Sequence, residues 1–330
     1  MIIKSKRSFL RYSVALATAL LAGATWAQSG SDWPTRPVTI VVGFSAGGPT
    51  DAVARILAEQ LSAKFNQSFV VENKAGASGA LAAVGVKKAA PDGYTLMFGS
   101  SSTLSITPHL QKNLGYDPLR DFTAIGLVAS YPYFLVAPAS SAITSLDELL
   151  KRGGNPSFNL SYASAGNGAV NHLAGEWFKH VASIKATHIP YKGDSAALVD
   201  LVAGRTDFAF LSGAAVLPQV KSGKLRLLAS ASATSGRGGE GVITLGESRF
   251  KGFAAEPWNG LMGPAGMPQS IVVRLNAAVN EIMNRKEVVD RLAAMEQYPL
   301  TGTPQQFTNH IKEQTERWAS VIKTSDIKVD

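Results

Sequence analysis

The sequence predicts an α/β protein with largely parallel sheets, divided into two domains. Strand-like and helix-like segments alternate through most of the chain, as they do when strand-helix units stack side by side. A buried-strand pattern runs directly into a glycine-rich turn and a helix at Trp33 to Arg55, WPTRPVTIVVGFSAGGPTDAVAR. About 300 residues follow a leader, long enough that two domains are the default.

The leader is Met1 to Ala27. Lys4, Lys6, Arg7 and Arg11 precede the apolar run Tyr12 to Ala22, and Ala24-Thr25-Trp26-Ala27 supplies a small-residue cleavage site. This is the pattern of a secretory signal peptide, and the apolar run is too short to span a bilayer. Export to the periplasm is the expected destination. Removing those four basic residues from the formal net charge of +8 leaves +4 on the mature chain. No Lys/Arg block is interleaved with aromatics, so nucleic acid is not an expected partner. The absence of cysteine excludes disulfides, zinc-thiolate sites and a cysteine nucleophile.

Pro37 to Val42, PVTIVV, is apolar and β-branched like a central strand of a covered sheet. Gly43, Gly47 and Gly48 let the backbone turn, and from Asp51 the residues Val53, Ile56, Leu57, Leu61 and Phe65 recur at helical spacing. Further strands are expected at Phe69 to Asn73, Tyr94 to Gly99, Asn159 to Ser164, Ala186 to Tyr191, Asp207 to Ser212 and Leu225 to Ser230. Helices are expected at Leu81 to Ala89, Gly168 to His180, Ser195 to Ala203 and Ala215 to Lys221. Two proline-bracketed apolar runs, Pro132 to Pro138 and Glu256 to Pro268, read as crossings between domains. One domain then comprises residues 33–130 and 255–330, and the other, inserted, residues 131–254. The tail reads as helices at Gln269 to Met283, Lys286 to Met295 and Pro304 to Lys323, the last with Thr303 as N-cap and proline at its first position.

Two chemistries compete at the first turn. Gly43-Phe44-Ser45-Ala46-Gly47 matches the G-x-S-x-G nucleophile elbow in a strand-turn-helix setting, which would make Ser45 the nucleophile of a secreted serine hydrolase. Fewer than about twenty mature residues precede Ser45, however, and the upstream oxyanion loop of such enzymes has no place. The other reading takes Phe44 to Asp51 as a loop whose amides, with the helix N-terminus behind them, hold an oxyanion, Asp51 or Thr50 serving as cap.

A second small-residue turn, Ser164-Ala165-Gly166-Asn167-Gly168-Ala169, also follows a strand and opens a helix. Facing loops of this kind suit an anion, because ligands of α/β sheets bind beyond the carboxyl ends of the strands. Gly166 to Gly168 lacks the third glycine and acidic partner of a dinucleotide fingerprint, so no cofactor is expected. His172 and Glu176 are one helical turn apart but lack a third ligand, so no metal is expected. Ser100, Ser101, Ser102 and Thr103 end a strand and are candidate cleft hydroxyls, the alternative being a plain polar turn. Tyr191-Lys192-Gly193-Asp194 follows another, with Asp194 a helix cap first and a ligand contact second.

Together, WPTRPVTIVVGFSAGGPTD, VVENKAGASG, APDGYTLMFG, NLSYASAGNGAVNHLAGEWF, PYKGDSAALVDLVAGRTDFAF, KSGKLRLLASAS and WNGLMGPAGMP resemble, in order and over nearly the whole mature chain, the Bug family. These are extracytoplasmic solute-binding proteins of tripartite tricarboxylate transporters. The resemblance implies a type II periplasmic-binding-protein fold, two α/β domains joined by crossing hinge strands. It implies a monomer that carries a small carboxylate to membrane permease subunits, without catalysis. It places ligand contacts at Phe44, Ser45, Ala46, Gly47, Gly48 and Asp51, and at Ser164, Gly166, Asn167, Gly168 and Ala169. His172 and Tyr191 fall in the matching H-L-A-G-E and Y-K-G segments. Ala169, Asp194, Ser45 and Ala46 depart from the usual pattern, and Asp194 beside the cleft would repel a second carboxylate and favour an amine, amide or neutral tail.

Overall fold

The computed structural model describes residues 33–232 and 241–327. The leader therefore lies outside the described residues. Eleven strands form two mixed sheets among them. The first, in the order β11-β4-β10-β3-β1-β2, contains β1 (Val38–Val42), β2 (Phe69–Asn73), β3 (Thr95–Ser100), β4 (Phe122–Ser130), β10 (Trp258–Pro264) and β11 (Tyr298–Pro299). The second, in the order β7-β6-β8-β5-β9, contains β5 (Tyr133–Pro138), β6 (Leu160–Ser164), β7 (Ala186–Pro190), β8 (Phe208–Ser212) and β9 (Leu225–Ser230).

The expectation of largely parallel sheets needs correction. β1 pairs in parallel with β2 and β3, and β6 with β7 and β8, but every pairing of β10, β5 and β11 is antiparallel. The hinges impose this. β1, β3, β6 and β8 run toward the cleft and end there, whereas β5 and β10 enter from a crossing and start there, so each lies antiparallel to its neighbours.

Helices cover both faces of each sheet. α1 (Pro49–Phe65), α8 (Gln269–Met283) and α9 (Lys286–Ala293) bury Val38, Ile40 and Val42 against Leu57, Leu275 and Val279. On the other face Val41, Met97 and Met262 meet α2 (Ala80–Lys87) and the first half of α10 (Pro304–Thr324) through Ala83, Phe307 and Ile311. Alternation along β1 decides which residue faces which layer. In the second sheet Tyr162, Phe208 and Phe210 pack on Phe178 of α5 (Val170–Ala182). Phe134, Val136 and Leu211 pack on α6 (Asp194–Val202) and α7 (Gly213–Lys221).

α10 serves both cores: Phe307 and Ile311 pack beneath the first sheet, whereas Trp318 and Val321 join the core of the second. Its start is the expected one, with Thr303 and Gln306 in a reciprocal capping box and Pro304 following. The sequence reading lacks β4, β11, α4 (Leu146–Gly153), the short 3₁₀ segment Ala77–Gly79, and the continuation of the turn after β3 as a π-helical segment at Ser102–Ile106 and α3 (Thr107–Leu110). Ser145, which caps α4 and accepts from the amide of Glu148, is an S-x-x-E signal that was available in the sequence.

Candidate functional site

The first loop is built by close approach and by one buried carboxylate. A Cβ on Gly43 would sit 2.6 Å from the Cα of Gly79, and Gly47 takes φ +80°, so both positions need glycine. Gly48, not Thr50 or Asp51, is the N-cap of α1, and it offers no side chain. Asp51 lies three residues inside, where its carboxylate accepts from the Gly47 amide at 2.9 Å, Arg55 Nε at 2.9 Å and Asn73 Nδ2 at 2.8 Å. Burial opposes ionisation there, but the Arg55, Gly47 and Asn73 bonds outweigh it and hold the carboxyl below its usual range. Asn73 also donates to the Phe44 carbonyl at 3.0 Å, so the end of β2 fixes the loop. Pro49 has no N–H, and the amides of Thr50 and Asp51 in the first turn have no intrahelical acceptor.

The second loop uses many of its own donors. The Ala165 amide donates to Asn171 Oδ1 at 3.0 Å, Gly166 to Ser164 Oγ at 3.1 Å and Gly168 to His172 Nδ1 at 3.2 Å. Ser164 Oγ lies 2.6 Å from His188 Nε2, and the two imidazoles stack at 4.0 Å. Burial, with Lys179 nearby, lowers the pKa of His172 to about 4; burial, reinforced by His172, lowers that of His188 to about 3. Both rings are therefore neutral near pH 7. Glu176 receives the Tyr162 hydroxyl at 2.7 Å and the Lys179 ammonium at 2.8 Å, which accounts for it without a metal.

The loops face each other across a cavity enclosing about 510 Å³, part of it open to solvent. The first lobe contributes Phe44, Ser45, Gly48, Thr50 and the serine turn Ser100 to Ser102. The second contributes Ala165, Ala169, Lys192 and Gly193 to Ser195, and the crossings contribute Tyr131, Tyr133 and Pro257. The N-termini of α1, α5 and α6 thus meet on one enclosed space, each with a partial positive charge. The lobes also bond across it, Ser45 Oγ donating to the Lys192 carbonyl at 3.1 Å and the Val170 amide to Ser102 Oγ at 3.2 Å.

Asp194 is the acidic side chain of this wall. Gly193 is the helix cap, at φ +111°, and Asp194 is the first helical residue. Its oxygens accept from Asn171 Nδ2 at 2.9 Å and the Ser212 amide at 3.3 Å, and burial raises its pKa to about 6.

Of the residues picked from sequence, Phe44, Ser45, Gly48, Ser100, Ser101, Ala169 and Asp194 line the inner cavity. Gly166, Asn167 and Tyr191 line a wider outer chamber, with Lys112 and Lys192 beside them. Ala46, Gly47, Asp51, Thr103, Ser164, Gly168 and His172 line neither. Thr103 Oγ1 contacts Ser100 Oγ at 3.0 Å and donates to the Ser78 carbonyl at 2.9 Å, which supports the serine turn from behind. Thr50 and Ser102 also line the inner cavity, and Tyr131 and Tyr133 are wall residues that the sequence reading left out. The signal for the tyrosines was a Tyr-Pro-Tyr sequence at a crossing, where a side chain must face the cleft. Among the described residues no cluster of His, Asp or Glu is placed to hold a metal ion.

The comparisons agree with this geometry. Residues 53–327 match the tripartite tricarboxylate transporter family receptor model. The chain is 34% identical to Protein BugT of Bordetella pertussis over 309 residues, 93% of this chain and 95% of that one. The structure of Rpa4515 from R. palustris with adipate superposes at a TM-score of 0.87 with 33% identity, covering 90% of this chain and 99% of that one. MatC from Rhodopseudomonas palustris with bound malate gives 0.82 and 32%, covering 88% and 100%. The periplasmic binding protein BugD gives 0.84 and 32%, covering 90% and 99%. These relatives are receptors, and Ser45 gives its hydroxyl proton to a backbone carbonyl rather than to a base, so the hydrolase reading is set aside. Two α/β lobes on crossing strands, closed around a cavity of helix N-termini, are what a solute receptor requires, and the chain belongs to the tripartite tricarboxylate transporter receptor family.

Proposed function

We propose that this receptor captures a small organic carboxylate between its two lobes in the periplasm and delivers it to the membrane permease subunits of a tripartite tricarboxylate transporter. One observation carries the reading: three helix N-termini and a serine turn converge on a single enclosed cavity. Helix N-termini stabilise an anion without a buried cationic side chain. Adipate and malate in the two related structures support the same ligand class. The leader, Met1 to Ala27, is the export signal in this account. Residues 33–130 with 255–330, and 131–254, are the units that move as the cleft opens.

Thermal melting of the purified mature protein against a panel of dicarboxylates, hydroxy acids, amino acids and aromatic acids tests this. A ligand that binds only the folded state raises stability by RT ln(1 + [L]/Kd), about 2.7 kcal/mol at a hundredfold excess over Kd. No shift across the panel, with no small acid released on denaturing the protein, would overturn the reading.

A further inference from the structure

The cleft has a second compartment, larger than the first. It encloses about 1720 Å³, part of it open to solvent, against about 510 Å³ for the inner cavity. Residues 43–45, 75–78 and 110–113 of the first lobe wall it, with residues 165–167 and 190–193 of the second. Phe44, Ser45, Ala165, Lys192 and Gly193 line both spaces, so they form the neck through which one opens into the other.

This outer chamber is a built space and not a gap between lobes. Ser45 Oγ donates to the Lys192 carbonyl at its neck, and Ser78 Oγ donates across it to the carbonyl of Asn167. Ala77 and Ser78 take φ of +47° and +51°, a left-handed conformation uncommon outside glycine, and the Ser78 carbonyl accepts from Thr103 Oγ1 at 2.9 Å. Strain of that kind persists only where the surroundings fix it, and it gathers at ligand clamps.

Charge is divided unequally between the two compartments. Lys112 and Lys192 line the outer chamber, and among the described residues no aspartate or glutamate lines it; Asp194 lines the inner cavity alone. Neither lysine forms an ion pair among the described residues. Asp200, which accepts from the Tyr191 hydroxyl at 2.8 Å, is paired with Arg205 at 2.6 Å. The lysines stand on opposite lobes, Lys112 in the loop after α3 and Lys192 between β7 and α6. Like charges facing each other across a cleft oppose its closing, and an anion between them reverses the sign. The repulsion expected of Asp194 acts at the inner end, so it does not bar a second anionic group from the outer one.

We propose that the outer chamber is a second anion subsite: the ligand is an extended diacid, with one carboxylate among the helix N-termini of the inner cavity and the other in the outer chamber between Lys112 and Lys192. This rests on the receptor reading above. The lysines are then specificity residues that select the charge of the far end, and a diacid too short to pass the neck leaves them unmet.

Titration calorimetry with three matched pairs of acids tests this: butyrate and succinate, hexanoate and adipate, octanoate and suberate. An exposed ion pair contributes up to about fivefold in affinity. With two lysines, adipate or suberate should bind wild type about 5- to 30-fold more tightly than the monoacid of its own length. Lys112→Gln and Lys192→Gln should each weaken the diacid by about two- to fivefold and leave the monoacid within about 1.5-fold, and Lys112→Arg should keep the diacid affinity. Both lysines are exposed, so neither substitution touches the core. A monoacid that binds wild type as tightly as its diacid overturns the inference and leaves the receptor reading standing. Succinate binding more tightly than adipate and suberate overturns it, as does an equal loss of monoacid and diacid in both glutamine variants. Binding of none of the six acids also overturns it, and the receptor reading falls with it only if the wider melting panel shows no shift.

Discussion

The amide of Gly168 donates to Nδ1 of His172 at 3.2 Å, so a neutral imidazole completes the turn that small residues only permit. Gly168 sits at φ +77°, where a Cβ would also lie 3.2 Å from Leu110 Cδ1. Replacing His172 with Leu leaves the amide buried without an acceptor. Stability in urea should fall by about 1–3 kcal/mol, the cost of an unpaired buried donor. A change below about 0.5 kcal/mol would mean that water reaches the amide and the imidazole does not hold the loop.

Acid should weaken the fold, with Asp194 opposing the loss. Burial places the folded pKa values of His172 and His188, about 4 and about 3, below the unfolded value. Their contribution is present above about pH 6.5 and is lost as pH falls toward 4. Asp194 is raised to about 6, so its contribution is present below about pH 4 and is lost as pH rises through 6. For His172 and for Asp194 the full effect is on the order of 3 kcal/mol, since each tenfold change in proton affinity is worth about 1.4 kcal/mol. Asp194→Asn removes the opposing part and should lose stability more steeply than wild type between pH 6.5 and 4. Parallel urea-derived profiles would refute this account of Asp194.

Asp51→Ala should damage the first loop although Asp51 does not line the cavity. The substitution strips the Gly47 amide, the Asn73 amide and Arg55 of a shared acceptor. Arg55 has a half-exposed side chain and rehydrates, so the cost comes from the other two and should be about 1–3 kcal/mol. Chemical denaturation measures it. A neutral effect would mean that the backbone alone sets the loop.

Ser45→Ala removes one bond between the lobes, from Ser45 Oγ to the Lys192 carbonyl. A neutral bond of this kind is worth about 0.5–1.5 kcal/mol, so Kd should rise by no more than about tenfold. No ester hydrolysis should be detectable before or after. Serine-dependent turnover in the wild type would return the nucleophile reading to consideration.

Much of the scaffold was legible because it rests on short-range rules. β2, β9 and α8 begin and end at the residues their patterns give, and the capping box of α10 follows from Thr303, Pro304 and Gln306. β4 was not legible. Its Ala124, Gly126 and Ala129 weaken the β-branched signature, and it is a strand because β10 and β11 pair on either side. The site divides in the same way. The two small-residue loops stand out in the sequence, yet which of their amides remain free depends on His172, Asn171 and Asp51 folding back onto them.

The sequence by itself determined the alternation of strands and helices, the two facing loops and the family. These depend on periodicity, glycine and proline, which act within a few residues along the chain. Only the tertiary structure decided the antiparallel crossings, the α10 helix shared by two cores, and the meeting of Tyr131 and Tyr133 with Thr50 and Asp194 in one wall. Thr50, the tyrosine pair and Asp194 are far apart in sequence and meet because the fold brings an α1 hydroxyl, a crossing strand and the start of α6 to one cavity. No pattern local to the chain encodes that distance.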